Sequence, residues 1–81
     1  MSADKSNHRN LIGDRLKLAR EKAKPKVTQT DLLARLAVRG LELEKTTISK
    51  IEAKTRPVTD IELVALADVL SVSVLWLLGK E

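Results

Sequence analysis

TQTDLLARLAVRGLELEKTTISKIE, residues 28–52, is the stretch that decides the fold. Thr28 and Asp31 form a capping box with Asp in place of the usual Glu, so a helix is predicted to begin here. Leu32 and Leu36 repeat at helical spacing and predict an apolar inward face. Gly40 is placed to end this helix in a left-handed turn.

A connector over residues 41–45 leads to a second helix in this stretch, predicted from about Thr46 to Lys54. Ile48 and Ile51 stand three residues apart, so they share one side of the helix, which is predicted to be buried. The opposite side carries Thr47, Ser49 and Lys50. The second helix is therefore predicted to present a small, polar and basic face to solvent.

Helix signals flank this stretch on both sides. A helix over roughly residues 10–23 is predicted from an apolar stripe that ends before Pro25. A capping box beginning at Thr59 predicts a fourth helix to about residue 70, and Ser73 is predicted to cap a short apolar helix over residues 74–78. No segment shows the two-residue alternation of a half-buried strand, so the fold is predicted to be all-α with five helices.

The 81 residues have room for one domain. We divide the chain into a flexible N-terminal segment over residues 1–9, a folded domain over residues 10–79 and a tail at residues 80–81. The absence of cysteine suits a reducing cytoplasm. The longest apolar stretch, residues 72–78, is too short to span a membrane, so we expect a cytoplasmic protein without a membrane partner.

The formal net charge is +4, but it is unevenly distributed along the chain. Residues 1–56 contain 14 Lys/Arg and 7 Asp/Glu, a balance of +7, whereas residues 57–81 contain 1 and 4, a balance of −3. A basic part and an acidic, apolar part favour a protein that contacts a polyanion with one side. Lysine-rich solvated helix faces are the alternative explanation.

Catalytic groups are scarce. The chain has a single histidine, His8, and neither cysteine nor tyrosine, so no nucleophile–base pair is available. Its three glycines are isolated, so no phosphate-cradling loop is present. The carboxylates lie at helix starts or among lysines, where caps and solvated ion pairs explain them. We expect no enzymatic activity, no cofactor and no metal site, with His8 as a solvated residue.

The polar-faced helix meets the requirements of a helix that enters a DNA major groove, which is about 12 Å wide. Its outward side chains are short enough for the backbone to approach, and they can form hydrogen bonds with base edges. The side chains concerned are Thr46, Thr47, Ser49 and Lys50. The preceding helix begins at Thr28 and Gln29, where free amides and the positive end of the helix dipole favour a phosphate.

The same residues resemble the Xre/Cro-type phage repressors over about residues 11–79. The resemblance consists of several motifs in the same order along the chain. These are Ile12-Gly13-Asp14-Arg15-Leu16-Lys17 before Arg20, Thr28-Gln29, Thr47-Ile48-Ser49-Lys50-Ile51-Glu52, Arg56-Pro57 and Val72-Ser73-Val74-Leu75-Trp76-Leu77-Leu78-Gly79.

The resemblance implies a five-helix, lambda-repressor-like DNA-binding domain in which helices 2 and 3 form a helix-turn-helix. The residues implied to read bases are Gln29, Lys45, Thr46, Thr47, Ser49 and Lys50, with Lys50 best suited to guanine. Those implied to bind phosphates are Thr28, Arg15, Lys54 and Arg56. Helix capping is the alternative explanation for Thr46, Thr47 and Ser49, and a solvated surface is the alternative for the lysines.

Two of the shared residues, Arg20 and Glu52, are implied to form an ion pair between the first and third helices. Trp76 is expected in the core, because its neighbours are aliphatic and no second aromatic residue exists to stack a base. The sequence departs from the family between Gln29 and Ile48, where about five extra residues predict a longer second helix or a looser turn. Glu44 occupies the usual position of a Ser/Thr cap, which favours Thr46 as the actual cap.

The apolar C-terminal helix predicts a homodimer through Val74, Leu75 and Leu78. Such a dimer would set two recognition helices about 34 Å apart, as a near-palindromic operator in double-stranded DNA requires. The leading interpretation is a transcriptional regulator that acts as a repressor or activator. The alternatives are a DNA-binding antitoxin with a toxin partner, and a protein-interaction module that does not bind DNA.

Overall fold

Five helices make up the protein in a computed structural model that describes residues 10–81. They are α1 (Gly13–Lys22), α2 (Gln29–Val38), α3 (Lys45–Glu52), α4 (Asp60–Val69) and α5 (Val74–Leu77). Residues 10–81 contain no strand, so the all-α prediction is confirmed. None of these helices is long and apolar enough to cross a bilayer. The predicted flexible segment at residues 1–9, which includes His8, lies outside the described residues.

Three of the predicted helix caps form as expected. The Thr28 hydroxyl accepts a hydrogen bond from the Asp31 amide, and the Asp31 carboxylate accepts one from the Thr28 amide. Thr59 and Glu62 repeat this capping box at α4. The Ser73 hydroxyl accepts from the Trp76 amide at the start of α5. Because each cap joins residues at most three positions apart, these helix starts are encoded locally.

The first helix begins three residues later than predicted, at Gly13 rather than Asn10. Asn10 is buried, and its carboxamide oxygen accepts hydrogen bonds of 3.1 Å from the amides of Ile12 and Gly13. Its carboxamide nitrogen donates to the carbonyl oxygens of Ile51, at 2.8 Å, and Arg56, at 3.0 Å. The Asn10 side chain therefore connects the start of α1 to the end of α3, a role that the sequence pattern did not reveal.

The third helix begins at Lys45, with Glu44 as a cap residue whose side chain makes no capping hydrogen bond. The prediction that Thr46 is the cap is wrong, because Thr46 already lies in the first turn. The helix ends at Glu52, two residues before the predicted Lys54, whose backbone has a positive φ of 63°.

The connector between α2 and α3 comprises residues 39–44. Gly40 has a φ of 84°, in the left-handed region where glycine is favoured, as predicted for the residue that ends α2. Leu41 and Leu43 are half-buried and pack against the core. These two apolar contacts hold the connector against the core, so the connector is packed in spite of its length.

Each helix contributes apolar side chains to one core. The buried members are Ile12, Leu16, Val27, Leu32, Leu36, Ile48, Ile51, Leu66, Ala67, Val69 and Leu77. Trp76 is half-buried against this cluster, which confirms the expectation that it belongs to the core. The side of α3 that carries Ile48 and Ile51 faces inward, and both side chains are fully buried. The opposite side of α3 is consequently directed to solvent.

The backbones of α1 and α3 lie close together at Gly13. A Cβ atom at this position would lie 2.6 Å from the Ile51 carbonyl oxygen and 2.9 Å from the Glu52 carbonyl oxygen. Both distances are shorter than a van der Waals contact, and both involve backbone atoms, which move only if the helices move. Glycine is therefore required for the close packing of these two helices.

We expect Gly13→Ala to lower the free energy of unfolding by about 1–3 kcal/mol, because the added methyl group forces α1 and α3 apart. Urea denaturation followed by circular dichroism measures the change. Lys17→Ala, at an exposed position of the same helix, is the control and should change stability by less than about 0.5 kcal/mol. Equal stability of Gly13→Ala and the wild type would contradict the close approach.

Candidate nucleic-acid interface

The outward side of α3 carries most of the residues predicted to read bases. Lys45, Thr46, Ser49 and Lys50 are exposed, whereas Thr47 is half-buried. This side faces solvent because Ile48 and Ile51 are buried on the opposite side of α3. It presents two ammonium groups and two hydroxyl groups on one short helix, and all four can form hydrogen bonds with base edges or phosphates.

The start of α2 lies beside this face. The Ser49 hydroxyl donates a hydrogen bond of 3.2 Å to the Gln29 carboxamide oxygen, and the Gln29 carboxamide nitrogen donates one of 3.2 Å to Glu52. Thr28, one residue earlier, is exposed. The structure therefore brings together the two groups of residues that the sequence placed 16 or more positions apart, the first turn of α2 and the outer face of α3.

The start of α2 combines the positive end of the helix dipole with a negatively charged side chain. Hydrogen bonds from the backbone amide and the hydroxyl of Thr28 lower the pKa of Asp31, so this carboxylate is ionised at neutral pH. It stands in the first turn of the helix, where it offsets part of the positive end of the helix dipole. An anion that binds here therefore depends on the free amides and on neighbouring lysines.

A buried ion pair joins α1 to α3. The Arg20 guanidinium donates to both carboxylate oxygens of Glu52, at 2.6 and 2.9 Å, and to the Val27 carbonyl oxygen at 3.0 Å. Both side chains are only 8% exposed. Hydrogen bonding to Glu52 raises the pKa of Arg20 above its ordinary value. The ion pair implied by the family resemblance is thus confirmed.

Three of the residues predicted to bind phosphates make contacts within the protein. Arg15 lies over the ring of Trp76, 4.7 Å from its centroid, and donates to the Trp76 carbonyl oxygen at 3.1 Å. Lys54 pairs with Asp14 at 3.0 Å, and Arg56 pairs with Glu62 at 3.0 Å. The sequence prediction missed all three partners, because none is adjacent in the chain.

These three contacts differ in how easily a phosphate could replace them. The Asp14 side chain is 82% exposed, so its pair with Lys54 is solvated and of the kind that contributes little free energy. Arg56 is 29% exposed, and its partner Glu62 is 9% exposed. Lys54 can therefore exchange its partner readily, whereas Arg56 is held at the start of α4.

Four lysines complete the basic surface. Lys24, Lys26, Lys45 and Lys50 are exposed, and no carboxylate of residues 10–81 forms an ion pair with them. Lys24 and Lys26 precede α2, and Lys45 and Lys50 lie on α3. These four ammonium groups can bind an anion without giving up an intramolecular ion pair.

The residues predicted to form a dimer are unequally exposed. Leu75 is 53% exposed, whereas Val74 and Leu78 are half-buried and pack against the core. Other apolar side chains are more exposed than Leu75, namely Leu11 at 62%, Val38 at 86%, Ile61 at 70% and Val64 at 58%. Ile61 and Val64 stand three residues apart on the outer side of α4, a spacing that could have identified this patch from the sequence.

Metal ligands are not clustered in the described part of the chain. Residues 10–81 contain no group of three or more His, Asp or Glu side chains able to hold a metal ion.

Comparison of the sequence and the structure with family models, curated proteins and solved structures gives no match. The function must therefore be inferred from the residues and the geometry of the site.

The Glu62 carboxylate, the partner of Arg56, has a lowered pKa. Burial opposes its ionisation, but hydrogen bonds from the Thr59 amide and from Arg56 outweigh burial. The ordinary pKa of this carboxyl is 4.5. Because the folded protein has the lower pKa, ionised Glu62 stabilises the fold above about pH 4.5, and this stabilisation is lost as the pH falls through the folded value.

We expect Glu62→Gln to lower the free energy of unfolding by about 1.5 kcal/mol at pH 7, the scale of a hydrogen bond to a charged group. The difference from the wild type should shrink as the pH falls below 4.5. Urea denaturation at a series of pH values measures both effects. Glu42→Gln, which removes an exposed carboxylate from the connector, is the control. A difference that is independent of pH would show that the Glu62 charge has no part in stability.

Proposed function

We propose that this protein is a sequence-specific, double-stranded DNA-binding transcriptional regulator, non-enzymatic and cytoplasmic. In this proposal α2 and α3 act as a helix-turn-helix, and α3 reads the major groove. The observation that carries the proposal is the exposed face of α3, where Lys45, Thr46, Ser49 and Lys50 point away from a fully buried Ile48 and Ile51.

The chemistry of this face suits base edges. Hydroxyl groups can donate to base acceptors or accept from base amines, and lysine can donate to N7 and O6 of guanine. Lys50 follows Ser49 on the exposed side of α3 and has no carboxylate partner among residues 10–81. We assign the guanine contact to Lys50 and secondary contacts to Thr46 and Lys45. Thr47 contributes less, because it is half-buried.

Phosphate contacts are assigned to groups that are free or weakly paired. Thr28 and the first amides of α2 lie beside the α3 face, and Lys24 and Lys26 precede them in the chain. Lys54 becomes available when its solvated pair with Asp14 opens. Arg15 and Arg56 instead serve mainly to hold α5 and α4, because both are engaged with partly buried groups.

The proposal is tested by titrating labelled DNA duplexes with the protein at several salt concentrations. Each neutralised phosphate contributes about −0.9 to the slope of log affinity against log salt. Four or more phosphate contacts should therefore give a slope of about −3.6 or steeper. Affinity that does not change with salt, or no binding at low salt, would rule out a DNA-binding function.

In the same titration, Lys50→Ala should weaken binding to a selected site by about 1–3 kcal/mol and relax specificity at one base pair. Lys80→Ala, in the acidic C-terminal part of the chain, is the matched lysine control and should leave affinity nearly unchanged. Equal losses for Lys50→Ala on selected and random duplexes would remove Lys50 from the base-reading residues.

A homodimer through α5 would match this function to a near-palindromic site. Leu75 is the exposed apolar residue at the centre of the predicted interface, with Val74 and Leu78 on either side. A second copy that covers it would bury the apolar end of the domain and place two α3 helices in successive major grooves, about 34 Å apart.

We expect sedimentation equilibrium to show a dimer for the wild type and a monomer for Leu75→Glu, because a buried unpaired charge at an interface is strongly unfavourable. Val38→Glu is the matched control, since Val38 is an exposed apolar residue on a different helix. A wild-type monomer both free and on DNA contradicts the dimer, and a monomer for Val64→Glu alone assigns the interface to α4.

The outer side of α4 favours a second candidate function, a DNA-binding antitoxin. Ile61 and Val64 are 70% and 58% exposed, and Asp60 lies beside them along one apolar groove. A toxin with an apolar and basic surface would cover them. Both candidates bind DNA, so the partner decides between them: co-purification of the protein with a small partner that Val64→Glu releases would support the antitoxin, whereas DNA binding with no such partner supports the regulator.

A further inference from the structure

Four side chains on three helices form one continuous chain of hydrogen bonds that ends on the outer face of α3. Arg20 on α1 donates to Glu52 on α3, at 2.6 and 2.9 Å. Gln29 on α2 donates to the same carboxylate at 3.2 Å. Ser49 on α3 donates to the Gln29 carboxamide oxygen at 3.2 Å. The chain runs from a buried ion pair to an exposed hydroxyl.

The direction of every bond in this chain follows from the charge at its buried end. Glu52 is paired with the Arg20 guanidinium, so both of its oxygens act as acceptors. A carboxamide has a donor end and an acceptor end, and only the donor end can face a carboxylate. The nitrogen of Gln29 must therefore face Glu52, and its oxygen must face Ser49.

Turning the Gln29 carboxamide over would reverse both contacts. Its oxygen would then lie about 3.2 Å from the Glu52 carboxylate, with two acceptors facing each other. The arrangement is therefore held in one orientation. The Ser49 hydroxyl consequently directs its only hydrogen to Gln29 and keeps only lone pairs for a partner outside the protein.

We propose that Ser49 acts only as a hydrogen-bond acceptor in the major groove and so contacts an exocyclic amine, N6 of adenine or N4 of cytosine, and not the acceptor atoms of guanine or thymine. A serine hydroxyl ordinarily contacts any base, because it can both donate and accept. Here the hydroxyl hydrogen of Ser49 is already bonded to Gln29. Guanine and thymine offer only hydrogen-bond acceptors in the major groove, so they cannot donate to the Ser49 oxygen. The proposal rests on the DNA-binding function and specifies one position of the code.

Gln29 and Arg20 are positioning residues in this scheme, since they act through Ser49. Thr46 is the matched comparison on the same helix face. It is exposed, and no described side chain accepts a hydrogen bond from its hydroxyl, so Thr46 can donate or accept. The two hydroxyl groups of one reading face therefore differ in the base atoms that they can contact.

The first measurement needs no DNA. Gln29 is the only glutamine of the chain, so its side-chain amide gives one assignable pair of proton resonances in a proton–nitrogen NMR spectrum. We expect Ser49→Ala to shift both resonances, because the Gln29 carboxamide oxygen then loses its hydrogen bond from Ser49. Thr46→Val should leave them in place. Unchanged resonances in Ser49→Ala would overturn the proposal.

The second measurement selects bound duplexes from random DNA with the wild type, Ser49→Ala and Thr46→Val. Ser49→Ala should lose preference at one base pair of the wild-type site, whose adenine or cytosine supplies the amine that Ser49 contacts. Replacing that base by an analogue without the exocyclic amine should weaken wild-type binding about tenfold and leave Ser49→Ala unaffected. Unchanged wild-type affinity for the duplex that lacks this amine, or no Ser49-dependent base pair, would overturn the proposal.

Different results would contradict the acceptor role of Ser49 and the DNA-binding function. Salt-dependent DNA binding that does not weaken when the exocyclic amine is removed contradicts only the acceptor role. A titration that shows no DNA binding contradicts the DNA-binding function and with it any role of Ser49 in reading bases, whatever the NMR result.

Discussion

The ion pair between Arg20 and Glu52 determines how α3 sits on the rest of the protein. Both side chains are largely removed from water, so each must find hydrogen-bond partners to offset the loss of hydration. Arg20 does so through Glu52 and the Val27 carbonyl oxygen, and Glu52 also accepts from Gln29. Because the Glu52 carboxylate accepts hydrogen bonds from α1 and α2, the orientation of α3 about its own axis is fixed. That orientation places Ser49 and Lys50 at the surface.

The close approach at Gly13 supports the same arrangement from the backbone side. Without a Cβ atom, α1 can lie against the carbonyl oxygens of Ile51 and Glu52. Asn10 adds a hydrogen bond to the Ile51 carbonyl oxygen at the same place. The last turn of α3 is therefore bound to the start of α1 by packing and by hydrogen bonds, while its outward side takes no part in the core.

The basic residues of the chain divide into two groups with different consequences for function. Arg15, Lys54 and Arg56 neutralise or cover groups of the protein itself, and they connect α1, α4 and α5. Lys45 and Lys50 lie on α3 without an ion pair to any residue of 10–81. An excess of positive charge in the sequence is therefore a poor guide to which cations are available to a polyanion, because ion pairs within the fold use part of it.

Local patterns in the sequence determined the number of helices, the capping boxes at Thr28 and Thr59, the left-handed turn at Gly40 and the burial of Ile48 and Ile51. These features depend on residues within about four positions of one another, where backbone geometry fixes which side chains meet. The tertiary structure alone decided the partners of Arg15 and Lys54 and the Ile51 partner of Asn10, which lie 40 or more residues away in the chain. It also decided that Gln29 meets Ser49, because such contacts arise only when helices pack, and short-range spacing carries no information about them.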